Sequence, residues 1–286
     1  MSKINVCILG AGGTMGYKTS RNIAKHPDLF ELNVCEIDPE AVSKLRAEGY
    51  KVLSMEEAVP MADVVIPSVP DSILKTFAPP VIDKMKSGAA LMILDPASVV
   101  AGEIHQRDDC ALVICHPCHP SFFLDQDTPE ARADKYGGDG GKQDLVLSKV
   151  SGSDEAFENC LLTSKHMLEP VLHCYVMTPK QMAFLEPTLV EILGATFLQA
   201  MADTLDEAVK RGVERAAAIS FMSGHIQNLT ATFTGMLGDT EVSDACKVAM
   251  TIGNRLVLRD DWKRVWDDEV LERVIATMLH PDDPKI

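Results

Sequence analysis

The chemistry written into this chain starts at a run of glycines. Gly10-Ala11-Gly12-Gly13-Thr14-Met15-Gly16 follows a short apolar run, Ile4 to Leu9, and opens a helical pattern. Glycine at such a turn lets the backbone bend tightly and approach a pyrophosphate. The helix start behind it offers unpaired N–H groups and a partial positive charge. The third glycine stands one residue later than the G-x-G-x-x-G spacing asks, but the context supports the motif. A second apolar run, Leu32 to Cys35, ends in Glu36, where a carboxylate can accept hydrogen bonds from ribose hydroxyls and repel a 2′-phosphate. Ile37 stands where an arginine would welcome that phosphate, so NAD is favoured over NADP, and Glu36 is preferred to Asp38 for the contact. Gly10, Gly12, Gly13, Thr14, Met15, Gly16 and Glu36 are therefore candidate cofactor residues. Val69 and Pro70 join them from the strand-end turn Pro67-Ser68-Val69-Pro70-Asp71. A later strand end, Leu94-Asp95-Pro96-Ala97-Ser98, reads either as an ordinary turn or as a lining of the same crevice.

A second constellation is Cys115-His116-Pro117-Cys118-His119-Pro120-Ser121, with two histidines and two cysteines inside five residues. Three readings stay open: acid–base or metal-ligand work by His116 or His119, a closed structural zinc site, and hydrogen bonding within the loop. Partner groups come from one long apolar stretch, where Lys180, Gln181, Glu186 and Glu191 are the polar exceptions. A charge buried without a partner costs on the order of several kcal/mol, so these residues need a reason. Glu186, between Leu185 and Pro187, is the better site candidate. On an α-helix Glu191 would lie roughly 140° away from it. His225 and Asn228 read as core or interface hydrogen bonding.

These side chains need elements to carry them. Apolar runs at Ile4 to Leu9, Leu32 to Cys35, Val64 to Pro67, Leu91 to Leu94 and Leu112 to Cys115 alternate with helical patterns. Continuous rather than alternating hydrophobicity marks strands covered on both faces. The fold class expected is α/β: a Rossmann-like, doubly wound sheet over residues 1–178, then an all-helical domain over 179–286. Asp144 to Val150 and Val171 to Met177 supply two more strands, with a helix from Asp154 to Met167 between them. Residues 124–143 are polar and hold Tyr136-Gly137-Gly138-Asp139-Gly140-Gly141, read as a mobile loop that is either a lid or a surface excursion. Beyond Thr178 the pattern predicts three helices: Lys180 to Lys210 with a kink at Pro187, Val213 to Thr232, and Val242 to Trp266. Helices this apolar must be covered on most sides, which predicts a homodimer through the C-terminal helices.

Charge excludes some functions. With 42 acidic against 27 basic residues the chain carries a net charge of −15, repelling nucleic acid and anionic lipid alike. No apolar run is long enough to span a membrane, and eight cysteines without a disulfide spacing read as reduced thiols of a cytoplasmic protein. The short, strand-like first run reads as no secretory signal. A small-molecule substrate is the partner expected.

The N-terminal half resembles a broad group of prephenate, 6-phosphogluconate and β-hydroxyacid dehydrogenases and ketol-acid reductoisomerases. It shares the glycine turn, the V-C-E-I-D-P-E strand end and A-D-V-V-I-P-S-V-P. The K-x-x-x-N helix pattern of the β-hydroxyacid enzymes is replaced by K-Q-M-A-F-L-E-P. Over most of its length the chain resembles the D-apionate oxidoisomerase family, through G-A-G-G-T-M-G, H-P-C-H-P-S and P-K-Q-M-A-F-L-E-P-T-L-V-E-I. That resemblance implies NAD-dependent oxidation of D-apionate, a branched sugar acid, coupled to migration of a hydroxymethyl group to give 3-oxo-isoapionate. A divalent metal would suit the migration, with His116 and Glu186 as ligands or acid–base groups and His119 in reserve. Two other readings compete. One is a simple hydroxyacid dehydrogenase, with His116 as base and Lys180 orienting the substrate carboxylate. The other is a non-catalytic NAD-sensing regulator.

Overall fold

Each continuous apolar run becomes a strand with helices on both sides. The computed structural model of the chain describes residues 2–282. In chain order the first unit contains β1 (Ile4–Leu9), α1 (Thr14–Ile23), β2 (Phe30–Cys35), α2 (Pro39–Ala47), α3 (Met55–Ala58), β3 (Val64–Pro67) and α4 (Asp71–Lys84). Next come β4 (Ala90–Ile93), α5 (Ala97–Val100), β5 (Ala111–Pro117), α6 (Pro129–Ala133), β6 (Gln143–Ser151), α7 (Asp154–Met167), β7 (Val171–Val176) and α8 (Pro179–Ala183). The seven strands form one sheet in the order β2-β1-β3-β4-β5-β6-β7. Every pairing is parallel except β5 with β6.

Strand side chains alternate between the two faces, and each face has its own core. Val6, Ile8, Val64, Ile66, Val113 and Cys115 pack with Ile23 of α1 and with Cys160 and Met167 of α7. Cys7, Leu9, Val65, Leu91 and Ile93 pack with Leu74, Ala78, Val81 and Ile82 of α4. Burying each large aliphatic side chain stabilises the fold by about 1.5–3 kcal/mol. The strand order reverses at β1, whose chain neighbour β2 lies on one side while β3 lies on the other. Ligands of open α/β sheets bind at the carboxyl ends beside such a reversal.

The chain divides into two compact units, Met1–Leu185 with Glu272–Ile286, and Glu186–Leu271. The division falls at Leu185 rather than Thr178, and the last segment belongs with the first unit. Lys180 to Lys210 is helical throughout, but not as the kinked α-helix expected. After α8 the stretch Phe184–Ala195 is π-helical, and α9 (Thr196–Lys210) resumes the α-helix. Pro187 lies inside the π segment. Proline lacks the N–H that an α-helix needs there, and the wider winding accommodates it. Gly212, with φ at +95°, ends the next turn, so α10 starts at Arg215 and runs to Phe233. The single helix expected over Val242 to Trp266 is two pieces: α11 (Asp244–Val257), capped by Ser243, and a 3₁₀ turn at Trp262–Trp266. Leu258 between them is extended. A further helix, α12 (Asp268–Leu279), lies beyond the three that the pattern predicts, and buries Leu271, Ile275 and Leu279 at an i, i+4, i+8 spacing. Behind it, His280 Nε2 lies 2.6 Å from the Glu103 carboxylate.

Candidate functional site

The glycine turn joins β1 to α1 at the reversal of strand order. Gly10 has φ at +78°, and a Cβ there would stand 2.7 Å from the Ser68 carbonyl oxygen at the end of β3. A Cβ on Gly16 would stand 2.2 Å from the Gly10 carbonyl oxygen, and one on Gly12 would stand 2.7 Å from the Glu36 carboxylate. Gly10 and Gly16 are thus required by close backbone approach, and Gly12 by the side chains of Ala41 and Glu36. Gly12, Gly13 and Thr14 face solvent, Met15 is half-buried, and no side chain caps the start of α1 at Gly13. That leaves a helix N-terminus able to hold an anionic group, the cradle a dinucleotide pyrophosphate requires.

Glu36 stands beside this cradle. One carboxylate oxygen accepts from Gly12 N–H at 2.7 Å, and the other accepts from the N–H groups of Ile37 at 2.7 Å and Asp38 at 3.0 Å. Partial burial opposes ionisation, but the three N–H groups outweigh it and hold the carboxyl below its usual range. The Asp38 carboxylate instead caps α2 by accepting from Ala41 N–H. The structure therefore separates the two acids that the sequence left in competition. Val69 and Pro70 lie in the turn from β3 into α4, half-buried and exposed respectively.

His116 lies near the carboxyl end of β5. Its Nδ1 is 2.8 Å from the Leu94 carbonyl oxygen, which orients the ring and leaves a neutral imidazole's lone pair on Nε2. Because neighbours on a strand face opposite sides, Cys115 points the other way, into the sheet core. Burial pushes the Cys115 thiol up to about 12. A closed zinc site using both cysteines of the motif is thereby ruled out, and all eight cysteines are free.

Two carboxylates from the strand-end turns, neither singled out as a candidate by the sequence, share the neighbourhood of His116. Asp71 begins α4 after β3, and Asp95 follows β4, where it accepts from Ala97 N–H at 2.8 Å. Desolvation and the charge of Asp95 push the Asp71 carboxyl up from 3.8 to about 6, with His116 acting in the opposite sense. Three consecutive strand ends thus bring an imidazole and two carboxylates into one electrostatic group. The available signal was position: each acid follows a strand at the end of the sheet that carries the glycine turn.

His119 has φ at +60°, its ring centroid lies 6.0 Å from that of His116, and its Nδ1 is 2.9 Å from the Tyr136 carbonyl oxygen. It anchors the glycine-rich loop, which is tied down rather than swinging free. The Asp134 carboxylate accepts from the N–H groups of Tyr136, Gly137, Asp139 and Gly141. Lys18 and Arg21 of α1 pair with Asp139. Lys180 lies in α8, which packs against α5 and β6 in the first unit.

Glu186 is half-buried and Glu191 exposed, both in the π-helical stretch of the second unit. A π-helix pairs residue i with i+5, so Glu191 stacks about one turn beyond Glu186, on nearly the same face. This corrects the α-helical expectation of opposed faces. In the same unit His225 and Asn228 line an open concavity with Phe221 and Gly224.

Comparison with known proteins decides the family. The phosphogluconate dehydrogenase (decarboxylating) C-terminal family matches residues 124–279, and the NADPH-binding domain of acetohydroxy acid isomeroreductase matches residues 1–130. A D-apionate oxidoisomerase of Blautia hydrogenotrophica is 54% identical over all of both chains. One from Pectobacterium atrosepticum is 40% identical, covering 97% of this chain and 96% of its own. The chain belongs to the D-apionate oxidoisomerase family.

As a member of that family it is an NAD-dependent oxidoreductase. Its fold matches a solved NAD-binding protein of Cupriavidus necator, described as a semialdehyde dehydrogenase and crystallised with calcium and NAD. The TM-score is 0.91 at 36% identity, with 97% of this chain and 100% of the other covered. The oxidoisomerase family thus combines the crevice of a dinucleotide domain with a helical continuation. Among the described residues no helix is long and apolar enough to cross a membrane.

Proposed function

We propose that the protein oxidises D-apionate with NAD and rearranges the resulting oxo acid to 3-oxo-isoapionate. The observation that carries this reading is the full-length kinship with the Blautia oxidoisomerase, joined by a glycine cradle after β1 and His116 near the end of β5, both at the carboxyl edge of one sheet. NAD lying along the cradle would accept the hydride from C2 of the substrate. Glu36, ionised and fixed by three N–H groups, suits the ribose hydroxyls and disfavours the 2′-phosphate of NADP.

In this reading His116 takes the proton of the C2 hydroxyl on Nε2, while the Leu94 carbonyl holds the Nδ1 proton and so fixes the tautomer. The substrate is then a 2-oxo-3-hydroxy acid. Loss of the C3 hydroxyl proton turns C3 into a carbonyl as one hydroxymethyl group leaves it with its bonding pair and attaches to C2. The former C2 carbonyl oxygen takes up the proton, so the rearrangement is redox-neutral. A divalent cation, when bound, would polarise the C2 carbonyl and stabilise the alkoxide. An imidazole whose Nδ1 is engaged by a backbone carbonyl is the arrangement of a metal-binding histidine. We assign His116 to that cation or to proton transfer, with His119 in reserve; Glu186, in the second unit, is a separate candidate for either role, to be tested on its own. Lys180 is the candidate for orienting the substrate carboxylate.

We further propose a homodimer through the C-terminal helices. α11 buries none of its own residues within one chain, and Val248, Ile252 and Leu256 stand 61%, 55% and 80% exposed. A second copy of the same face covers such a surface. The compartment proposed is the cytoplasm, which suits eight free thiols.

The test is the initial rate of NADH formation from D-apionate, with NAD and NADP compared and divalent metal added or withheld. Turnover with NAD, at least tenfold above that with NADP, supports the reading. Tight NAD binding without turnover on D-apionate overturns it.

A further inference from the structure

Three metal-ligating side chains meet where α1 leads into β2 and α7 ends. His26 follows α1, His166 lies in the last turn of α7, and Glu169 follows two residues after that helix. One ligand atom from each lies within 4.8 Å of the others. His26 Nε2 is 2.8 Å from Glu169 Oε2, and His166 Nδ1 is 3.5 Å from the same oxygen. The two imidazole rings are tilted against each other with centroids 4.2 Å apart, and the edge of Phe30 backs His166. All three side chains are about a quarter exposed, at 27%, 24% and 25%. One side of the cluster therefore opens to solvent.

We propose that His26, His166 and Glu169 form a site for one zinc-class divalent cation (Zn²⁺, Co²⁺ or Ni²⁺) that pins the end of α7 to the α1–β2 connection. Two imidazoles and a carboxylate are the donor set such ions prefer over the all-oxygen sets of calcium and magnesium. Metal–ligand bonds of about 2.0–2.2 Å in a tetrahedral arrangement separate neighbouring donors by roughly 3.4 Å. The 3.5 Å spacing already matches that, and the 2.8 Å spacing would open by roughly half an ångström as the ion replaces the hydrogen bond. Both helices also end here, and helix C-termini favour a cation. Lys25 takes the other Glu169 oxygen, Oε1, at 3.4 Å, so Oε2 is the atom both histidines address. Water completes the coordination from the open side.

The site is separate from the cofactor crevice. Phe30 N–H donates to the His26 carbonyl oxygen, placing His26 at the amino end of β2. Glu36 follows the carboxyl end of the same strand, roughly 20 Å away at about 3.3 Å per residue.

The experiment uses the full chain, stripped with chelator and titrated with Zn²⁺ or Co²⁺ against a chromophoric competitor, in wild-type and His116→Ala backgrounds. The second background removes any contribution from the catalytic region. The expected result is one tightly held equivalent that persists in the His116→Ala background, a Co²⁺ absorption band, and a rise in Tm on adding Zn²⁺. His166→Gln should weaken the site at least about a hundredfold and abolish the Tm rise, since the lost ligand is one of three protein donors. His26→Gln should do the same and serves as the control if the first variant folds poorly. Unchanged stoichiometry and Tm rise in both variants would overturn the proposal. So would the absence of any bound equivalent in the wild type, leaving the cluster as a set of ion pairs only.

Discussion

The two units dispose of the same kind of side chain in opposite ways. In the sheet unit Val6, Ile8, Val64, Ile66 and Val113 have no exposed surface. In the stretch Glu186–Leu271, Phe221 is 70% exposed and Leu256 is 80% exposed. A parallel sheet finds its cover along its own chain, because each crossover lays a helix on it. An apolar helix carries no such guarantee: its hydrophobicity says that it must be covered, not by what. The strands of the first unit are thus covered by their own chain as far as β6, with β7 left largely exposed, and a second copy is the cover proposed for the helices of the second unit.

The comparison predicts where substitutions act. His116→Ala, in the sheet unit, should lower kcat by about 10²–10⁴-fold, the usual worth of a general base, while leaving Tm and oligomeric state unchanged. A comparable fall in Tm would recast His116 as a structural residue. Gly16→Val should cost about 2–3 kcal/mol in chemical denaturation, because its Cβ meets the Gly10 carbonyl, and NAD affinity should fall with it. In the second unit, Ile252→Glu combined with Leu256→Glu should convert a dimer to monomers in light scattering. If those side chains face only water, the pair changes stability by no more than about 0.5 kcal/mol per site and leaves the mass alone.

The smallest effect concerns pH. The Asp71 carboxyl is raised to about 6 in the folded chain from 3.8, so its contribution to stability is complete below the lower value and is lost as pH rises through the higher one. Asp71→Asn should accordingly gain Tm relative to wild type above about pH 6 and match its trend below about pH 4. Parallel Tm curves for the two proteins across that window would show that Asp71 does not feel Asp95 and its surroundings as the geometry indicates.

How much was legible follows the same division. β1, β3 and α7 were readable to the residue because a strand buried on both faces is a continuous apolar run, and because Ser153 caps α7. Glu36 was readable from its place after the second strand. What the sequence hid was relational. Asp71 and Asp95 stood in strand-end turns with no stated role until the sheet order set β3, β4 and β5 side by side. His26 and Glu169 are 143 positions apart and meet only because α1 packs on α7. The π winding around Pro187 escaped an α-helical count and reversed the expected relation of Glu186 to Glu191. The loop around Asp139 looked mobile by its glycines, yet ion pairs with Lys18 and Arg21, more than a hundred positions earlier, hold it.

The most direct test of the central claim is carbon NMR of the product formed by the purified protein from D-apionate and NAD, run beside the His116→Ala variant. The account predicts 3-oxo-isoapionate in step with NADH, with both lost in the variant. An oxidised product that keeps the substrate's carbon skeleton would contradict it and leave a simple dehydrogenase.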